Sequence, residues 1–444
     1  MATPSRPNFI LLVLDTLRYD KASPLRHLLG GMEDYGWAIT PAPWTLPAHV
    51  SLLTGLYPSV HGSHETSTVK WRDISAIRNR SPTLMSRLKR LGYATYGYSA
   101  NSFISEEFGF TGFDLLTNWD SNPVLPLTRL LTSMDEKAAA LFQRFLETRM
   151  RDDFLALMLY LLKQDPRLMS RLLVESARVV YMTISGEFVR GKGTKQASRF
   201  LKNTRFGEPF FLFMNLLDVH EPYLRDDILF GKGHPVVPTA GISTSALAEW
   251  TIAYDSQANG LTKALSRQFA VLRERGLLEN TVVLITSDHG QLLGEHDWAG
   301  HGVFLYDEVV KVPLLVKYPS RAEVRRSEPK GKISLTNVPR FILDLAQGRN
   351  SDSGLYSPRA FSESWGSYER VGGDGVAIEQ KFHFAERRTC VFADLGKVTY
   401  NHSTGEVEEA VLEGDGERDA QRLAQDCVNF GRLNDRLRAA LAPN

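Results

Sequence analysis

Five short apolar runs limit what this chain can fold into. They are NFILLVLD (8–15), YATYGYSAN (93–101), PFFLFMNLLD (209–218), TVVLITSDHG (281–290) and VPLLVKYP (312–319). Each is apolar with little alternation, the pattern of a strand covered on both faces, as in buried parallel sheets. Stretches with helical periodicity separate them, including SPTLMSRLKRLG (81–92) and the long SALAEWTIAYDSQANGLTKALSRQFAVLRERG (245–276). This alternation predicts an α/β fold built on a mainly parallel sheet.

Residues 121–200 break the pattern: they are rich in Leu, Met, Arg and Glu, with few strand signals. DDFLALMLYLLKQ (152–164) and MSRLLVESARVVYMTI (169–184) read as helices, so the block is expected to be a helical insertion. FLALMLYLL is apolar nearly all round but only nine residues long. A buried helix is the expectation, and a homo-oligomer contact or a membrane-surface contact are the alternatives. Beyond about residue 350 short polar and apolar stretches alternate around the turn NHSTGE (401–406), and a helix follows. The expected organisation is an α/β domain over 1–350 and a small antiparallel-sheet-plus-helix subdomain over 351–444.

With 444 residues the chain can bury a substantial core, and its net charge of +1 gives no general attraction to nucleic acid or anionic membranes. Two cysteines, Cys390 and Cys427, exclude a disulfide framework and a thiolate metal site. They are expected to be buried free thiols. The first apolar run, FILLVL (9–14), is too short for a signal segment or a transmembrane span, so a cytoplasmic location is expected.

Ligands of open α/β sheets bind at the carboxyl ends of the strands. Here the first run ends at Asp15, the second at Asn101, the third at Asp218 and His220, and the fourth at Asp288-His289-Gly290. Four such ends together favour a site. Asp15, Asp288 and His289 form a hard, mainly oxygen donor set with one imidazole, suited to a divalent cation. Gly290 is expected to let the chain turn sharply beside it. GEHDWAGHG (294–302) adds His296 and His301, of which at least one is expected in the site.

APWTLPAHVSLLTGLYP (42–58) contains a short helical run closed near Gly55. Thr45 there has two readings. One is a helix cap, with Pro47 in the first turn. The other is a nucleophile at the positive end of a helix, where an anion also binds.

Taken with NFILLVLDTLRYD, LLDVHEPY, TVVLITSDHGQLLGEHDWAGHG, LYDEVVKVPLLVKYP, YSANSFIS and GFTGFD, this stretch resembles the sulfatase-like branch of the alkaline phosphatase superfamily. The motifs occur in that branch's order and cover most of 6–120, 205–345 and 380–440. The resemblance implies a central mixed sheet between helices and a smaller C-terminal sheet. It also implies a divalent metal at Asp15 and Asp288-His289, and a nucleophile at Thr45. Two departures matter. Formylglycine enzymes begin this motif with Cys or Ser, and follow with Pro and then Arg. Here the residues are Thr45-Leu46-Pro47-Ala48-His49. The lysine of the later Gly-rich loop is replaced by His301.

Thr carries a methyl on its β-carbon and cannot give an aldehyde. A sulfated Thr has no second hydroxyl with which to expel sulfate, whereas metal-activated water attacks a phosphorylated Thr in line. The expected activity is therefore a metal-dependent hydrolase of phosphoesters or phosphonates. The alternatives are a sulfatase without formylglycine, a phosphoryl transferase or an inactive binding protein. Thr45, His220 and His301 are the expected catalytic residues, and Asn101, His49 and Asp218 the expected substrate-binding ones. The metal ligands are Asp15, Thr45, Asp288 and His289, with one ion, Mn or Zn over Ca. Asp218, His220 and His301 leave room for a second. The partner is a small-molecule phosphate or sulfate ester.

Overall fold

The computed structural model describes residues 6–65, 82–119, 151–185, 192–223, 241–320, 324–328, 330–366, 386–414 and 416–441, with short stretches between 135 and 144. Seven strands form the central sheet: β1 (Asn8–Leu14), β2 (Met32–Ile39), β3 (Ala94–Ser99), β4 (Leu115–Asn118), β5 (Phe210–Leu216), β6 (Thr281–Thr286) and β7 (Lys311–Lys317). Their order is β2-β7-β6-β1-β5-β3-β4. The pairings β6–β1, β1–β5, β5–β3 and β3–β4 are parallel. The fifth apolar run departs from expectation: β7 runs antiparallel to both β6 and β2. An unbroken apolar run reports burial on both faces and carries no information on direction.

Alternate residues of β1 feed two cores. Ile10, Leu12 and Leu14 pack with Leu201, Tyr254, Leu261, Leu265 and Phe269. These partners lie on α5 (Thr194–Asn203) and the long α6 (Thr244–Glu274). Phe9, Leu11 and Val13 face the other side, where they meet Leu52, Leu88 and Phe341. Those belong to α1 (Thr45–Thr54), α2 (Leu84–Arg90) and α7 (Val338–Ala346). Every residue of β1 is buried, which explains why its sequence does not alternate.

The 151–185 segment forms two helices, α3 (Arg151–Gln164) and α4 (Pro166–Ser185). The expectation of a helix buried all round fails for α3. Leu157 and Leu161 are buried against Leu172, but Leu155, Leu159 and Leu162 on the opposite face are exposed. Among the described residues, the side chains that cover α3, Leu172 of α4 with Ala138 and Leu141, cluster with Leu157 and Leu161. Among the described residues no helix is long and apolar enough to cross a membrane.

Four antiparallel strands form the C-terminal sheet: β8 (Ala360–Ser364), β9 (Arg388–Ala393), β10 (Gly396–Asn401) and β11 (Glu406–Leu412), in sequential order. Helix α8 (Gly416–Leu441) packs on them through Leu423 and Cys427. The expected turn after Asn401 is present, with the Asn401 side-chain carbonyl accepting from the amides of Ser403 and Thr404. Cys390 and Cys427 are both buried and free. Residues 121–134 and 186–191 of the expected insertion, and 367–385 of the expected C-terminal subdomain, lie outside the described residues.

Candidate active site

Strands β6, β1, β5 and β3 are consecutive in the sheet and parallel, so their carboxyl ends form one row. From that row come Asp288 and His289, Asp15, Asp218 and His220, and Asn101. The parallel arrangement thus brings residues far apart in sequence to one edge.

Asp15, Asp288 and His289 are fully buried, and one ligand atom from each lies within 4.8 Å of the others. His289 Nε2 is 3.4 Å from Asp288 Oδ2 and 3.8 Å from Asp15 Oδ1. The Nδ1–H of His289 donates to the Gly290 carbonyl at 2.9 Å, which leaves the Nε2 lone pair turned to the two carboxylates. Asp288 Oδ1 accepts from the amides of Thr16 and His289. Asp15 Oδ2 accepts from Asn101 Nδ2 at 2.9 Å. The remaining oxygens, Asp15 Oδ1 and Asp288 Oδ2, are buried without a hydrogen-bond partner. Two such carboxylate oxygens aimed at one imidazole nitrogen suit a divalent cation.

Thr45 is the first residue of α1, and the cap position is held by Trp44, with no side-chain capping bond. The cap reading of Thr45 is therefore overturned. Its hydroxyl points out of the helix, 3.4 Å from His289 Nε2 and 3.5 Å from Asn101 Nδ2. Gly55 closes the helix in the left-handed conformation, φ +77°, as expected.

Gly290 has a different reason from the expected sharp turn. It is absent from the positive-φ glycines, but a Cβ there would meet the Glu308 carbonyl oxygen at 2.0 Å. The residue beside Asp15 carries the unusual backbone instead: Thr16 has φ +62° and is held by its hydroxyl bond to the Val219 carbonyl.

His49, expected to bind substrate, is fully buried, as are Asp15, Asp288 and His289. One turn of α1 directs the His49 Nδ1–H to the Thr45 carbonyl at 2.8 Å, with Asp288 Oδ2 3.5 Å away. Its Nε2 faces Asn215 Nδ2 at 3.4 Å, and Asn215 Nδ2 is also 3.4 Å from Asp15 Oδ2. Asn215, buried within β5, was not among the expected residues; a polar side chain inside an apolar strand was the available signal.

A second group joins His220, Glu221 and His301. Glu221, not Asp218, completes it. Asp218 instead accepts from the Thr194 hydroxyl at the start of α5. His220 donates Nδ1–H to the Glu221 carbonyl at 2.8 Å and places Nε2 3.9 Å from Asp15 Oδ1. The His301 ring centre is 4.4 Å from that of His289 and 5.6 Å from that of His220. His296 lies elsewhere, stacked on Tyr306 and paired with Glu308. Lys192, also not anticipated, is buried with its ammonium bonded to the His220 carbonyl and, at 3.1 Å, to Gln257 Oε1.

Burial and the neighbouring Asp288 carboxylate raise Asp15, and burial raises Asp288. Burial lowers His289 to about 4, so it is neutral and able to donate its lone pair. Burial alone would lower His220, but Glu221 and Asp15 outweigh it and hold His220 above its ordinary value. Asp218 is pushed up to about 6 by burial, and Lys192 down to about 7 by the same cause.

Residues 191–348 match the sulfatase family. An arylsulfatase of Clostridium perfringens is 27% identical over 183 residues, covering 35% of this chain and 37% of its own length. An N-acetylglucosamine-6-O-sulfatase of Bacteroides thetaiotaomicron is 31% identical over 78 residues, 18% of this chain and 14% of that protein. The chain therefore spans little more than a third, at most, of these two relatives' lengths. A solved structure of a putative sulfatase from Bacteroides thetaiotaomicron superposes with TM-score 0.62 at 14% identity, covering 97% of this chain and 93% of that one. A phosphonate monoester hydrolase from Silicibacter pomeroyi superposes with TM-score 0.56 at 17% identity, covering 97% and 96%. At such identities these two likenesses establish the fold.

Proposed function

We propose that this chain, which belongs to the sulfatase-like branch of the alkaline phosphatase superfamily, is a metal-dependent ester hydrolase that cleaves phosphoesters or phosphonate esters with Thr45 as nucleophile. The observation that carries this reading is the convergence of the Thr45 hydroxyl with Asp15, Asp288 and His289. These four residues would hold one divalent cation, Mn or Zn over Ca because one donor is an imidazole. When bound, the cation lowers the pKa of the Thr45 hydroxyl and draws charge from the ester oxygens.

The protein's own groups account for the remaining steps. Thr45 Oγ1 loses its proton to solvent and attacks phosphorus, the bond to the leaving oxygen breaks, and His220 or His301 gives that oxygen a proton. The His220 Nε2 edge faces the donor group, and its raised pKa keeps a proton available near neutrality. Water then displaces Thr45 and releases the phosphoryl group; an alcohol in its place would make the reaction a transfer. Asn101 Nδ2 keeps Asp15 in place and lies close enough to Thr45 to donate to a developing negative oxygen. His49 and Asn215 hold the two carboxylates from behind, so His49 acts through Thr45 and Asp288 and not by contact with the ester.

The phosphorus preference rests on Thr45, which cannot become formylglycine. A sulfate ester is the second reading, because the matched family segment and the arylsulfatase relative point to sulfatases. Purified protein loaded in turn with Mn, Zn and Ca, and offered aryl phosphate, phosphodiester, phosphonate and sulfate esters, separates the two. Turnover highest on a phosphorus ester is expected. Turnover highest on the sulfate would overturn the preference, and a metal-free inert protein would overturn the enzymatic reading itself.

A further inference from the structure

Asp15 stands in a tight turn. The Leu17 N–H donates to the Leu14 carbonyl at 3.1 Å, so Asp15 and Thr16 are the two central residues. Thr16, the second of them, has φ +62°. A positive φ at that place favours Gly or Asn. A β-branched residue adopts it only where its surroundings enforce it.

Each polar group of Thr16 is bonded to a different segment. Its N–H donates to Asp288 Oδ1 at 3.3 Å, and its hydroxyl to the Val219 carbonyl at 3.0 Å. Its carbonyl accepts from Tyr254 Oη at 2.8 Å. Tyr254 is fully buried within α6, and its oxygen also accepts from the Arg18 N–H at 3.0 Å. One phenol oxygen therefore staples residues 16 and 18. Burial raises the pKa of Tyr254, so the hydroxyl keeps the proton that it donates.

Two carboxylates depend on this turn. Asp15 is part of it. Asp288 is held through the Thr16 amide, which engages Oδ1 and leaves Oδ2 without a hydrogen-bond partner, 3.4 Å from His289 Nε2. A change in the Thr16 backbone would therefore move both carboxylates relative to each other.

We propose that Tyr254, on a helix that supplies none of the metal ligands, is a positioning residue for the metal: it enforces the left-handed backbone of Thr16 and so sets the spacing of Asp15 and Asp288. This inference rests on the metal reading proposed above. Groups that orient ligands in this way change metal affinity by about 10- to 100-fold when removed.

The test is Mn2+ affinity of chelator-stripped protein, read by isothermal titration calorimetry, with circular dichroism melts as the check on folding. Tyr254→Phe is expected to raise the Kd by about 10- to 100-fold. Tyr93→Phe is the control. It removes a similar bond, from a buried tyrosine to the Pro7 carbonyl at 3.0 Å, at the other end of β1. Its Kd is expected to stay within about threefold of wild type. Gly adopts a positive φ unaided, so in a Thr16→Gly background Tyr254→Phe is expected to shift the Kd by less than about threefold. A folded Tyr254→Phe with a Kd raised by less than about tenfold would overturn the inference. So would a matching loss in Tyr93→Phe, which would reflect lost stability alone, or a full loss in the Thr16→Gly background. Should Tyr254→Phe fail to fold, the Thr16→Gly pair decides, and a double variant that also fails to fold overturns the inference. A wild type that binds no Mn2+ would instead defeat the underlying metal reading, so the two failures are distinguishable.

Discussion

The Thr45 hydroxyl oxygen lies 3.4 Å from Nε2 of His289, although 244 positions separate the two residues. The contact turns a helix-start residue toward a buried imidazole whose other nitrogen is already committed to the Gly290 carbonyl. Because the hydroxyl makes no capping bond, its loss should leave the helix intact. Thr45→Ala is expected to abolish turnover while changing unfolding free energy by well under the ~1 kcal/mol that removal of a true cap costs. Urea denaturation and a steady-state assay on the same preparation check both halves.

Asp288→Asn should act in opposite directions with and without metal. The neighbouring Asp15 is raised partly by the Asp288 charge, so neutralising Asp288 relieves a buried repulsion. The Asn oxygen can still accept from the Thr16 and His289 amides. The metal-free variant is expected to melt at or above the wild-type temperature. Mn2+ at a hundred times its Kd should stabilise the wild type by about 2.7 kcal/mol, and the variant by much less. Differential scanning calorimetry with and without chelator measures both.

Gly290→Ala places a methyl group against a main-chain carbonyl that cannot move aside without shifting the Glu308 segment. A loss of about 1–3 kcal/mol is expected. Because Gly290 also accepts the bond that orients His289, Mn2+ affinity should fall alongside stability. Isothermal titration calorimetry reads the affinity. Unchanged affinity in a folded variant would show that His289 is oriented by other contacts.

Glu363 offers a pH test away from the metal donors. It is buried, accepts from the Ser59 amide and hydroxyl, and burial pushes it up to about 6. A carboxyl raised in the folded state stabilises it fully below its ordinary pKa near 4.5, and that contribution is lost as pH rises through 6. Glu363→Gln removes the titration. Measured against the variant, the wild type should lose on the order of 2 kcal/mol between pH 4 and 7. Parallel stability curves for the two proteins over that range would rule out the shift.

The strands most easily read from sequence were those buried on both faces, because β1, β5 and β6 leave no room for a polar face. β2 escaped notice because it is one of the sheet's two edge strands and its run MEDYGWAI is only partly buried along most of its length. The direction of β7 was not legible for a different reason: it depends on which strand it pairs with. At the site, strand-end chemistry pointed to Asp15, Asn101, His220, Asp288 and His289. It could not separate Asp218 from Glu221, since which carboxylate turns inward depends on the chain beyond β5. Lys192 and Asn215 acquire meaning only through contacts with distant segments, Gln257 of α6 and His49 of α1. His49 shows the limit of position within a motif: one turn of α1 returns its Nδ1–H to the Thr45 carbonyl, a contact that the motif does not disclose.

The order β6-β1-β5-β3 means that the donors and their supports come from four segments that are neighbours only in the assembled sheet. Asp288 and His289 adjoin in sequence, but Asp15, Thr45 and Asn101 arrive from distant parts of the chain. An unfolded chain therefore offers a cation two adjacent ligands at best, and a misregistered sheet offers scarcely more. A bound ion would act as a proofreader of topology, rewarding only the arrangement in which the ends of β1 and β6 meet the start of α1.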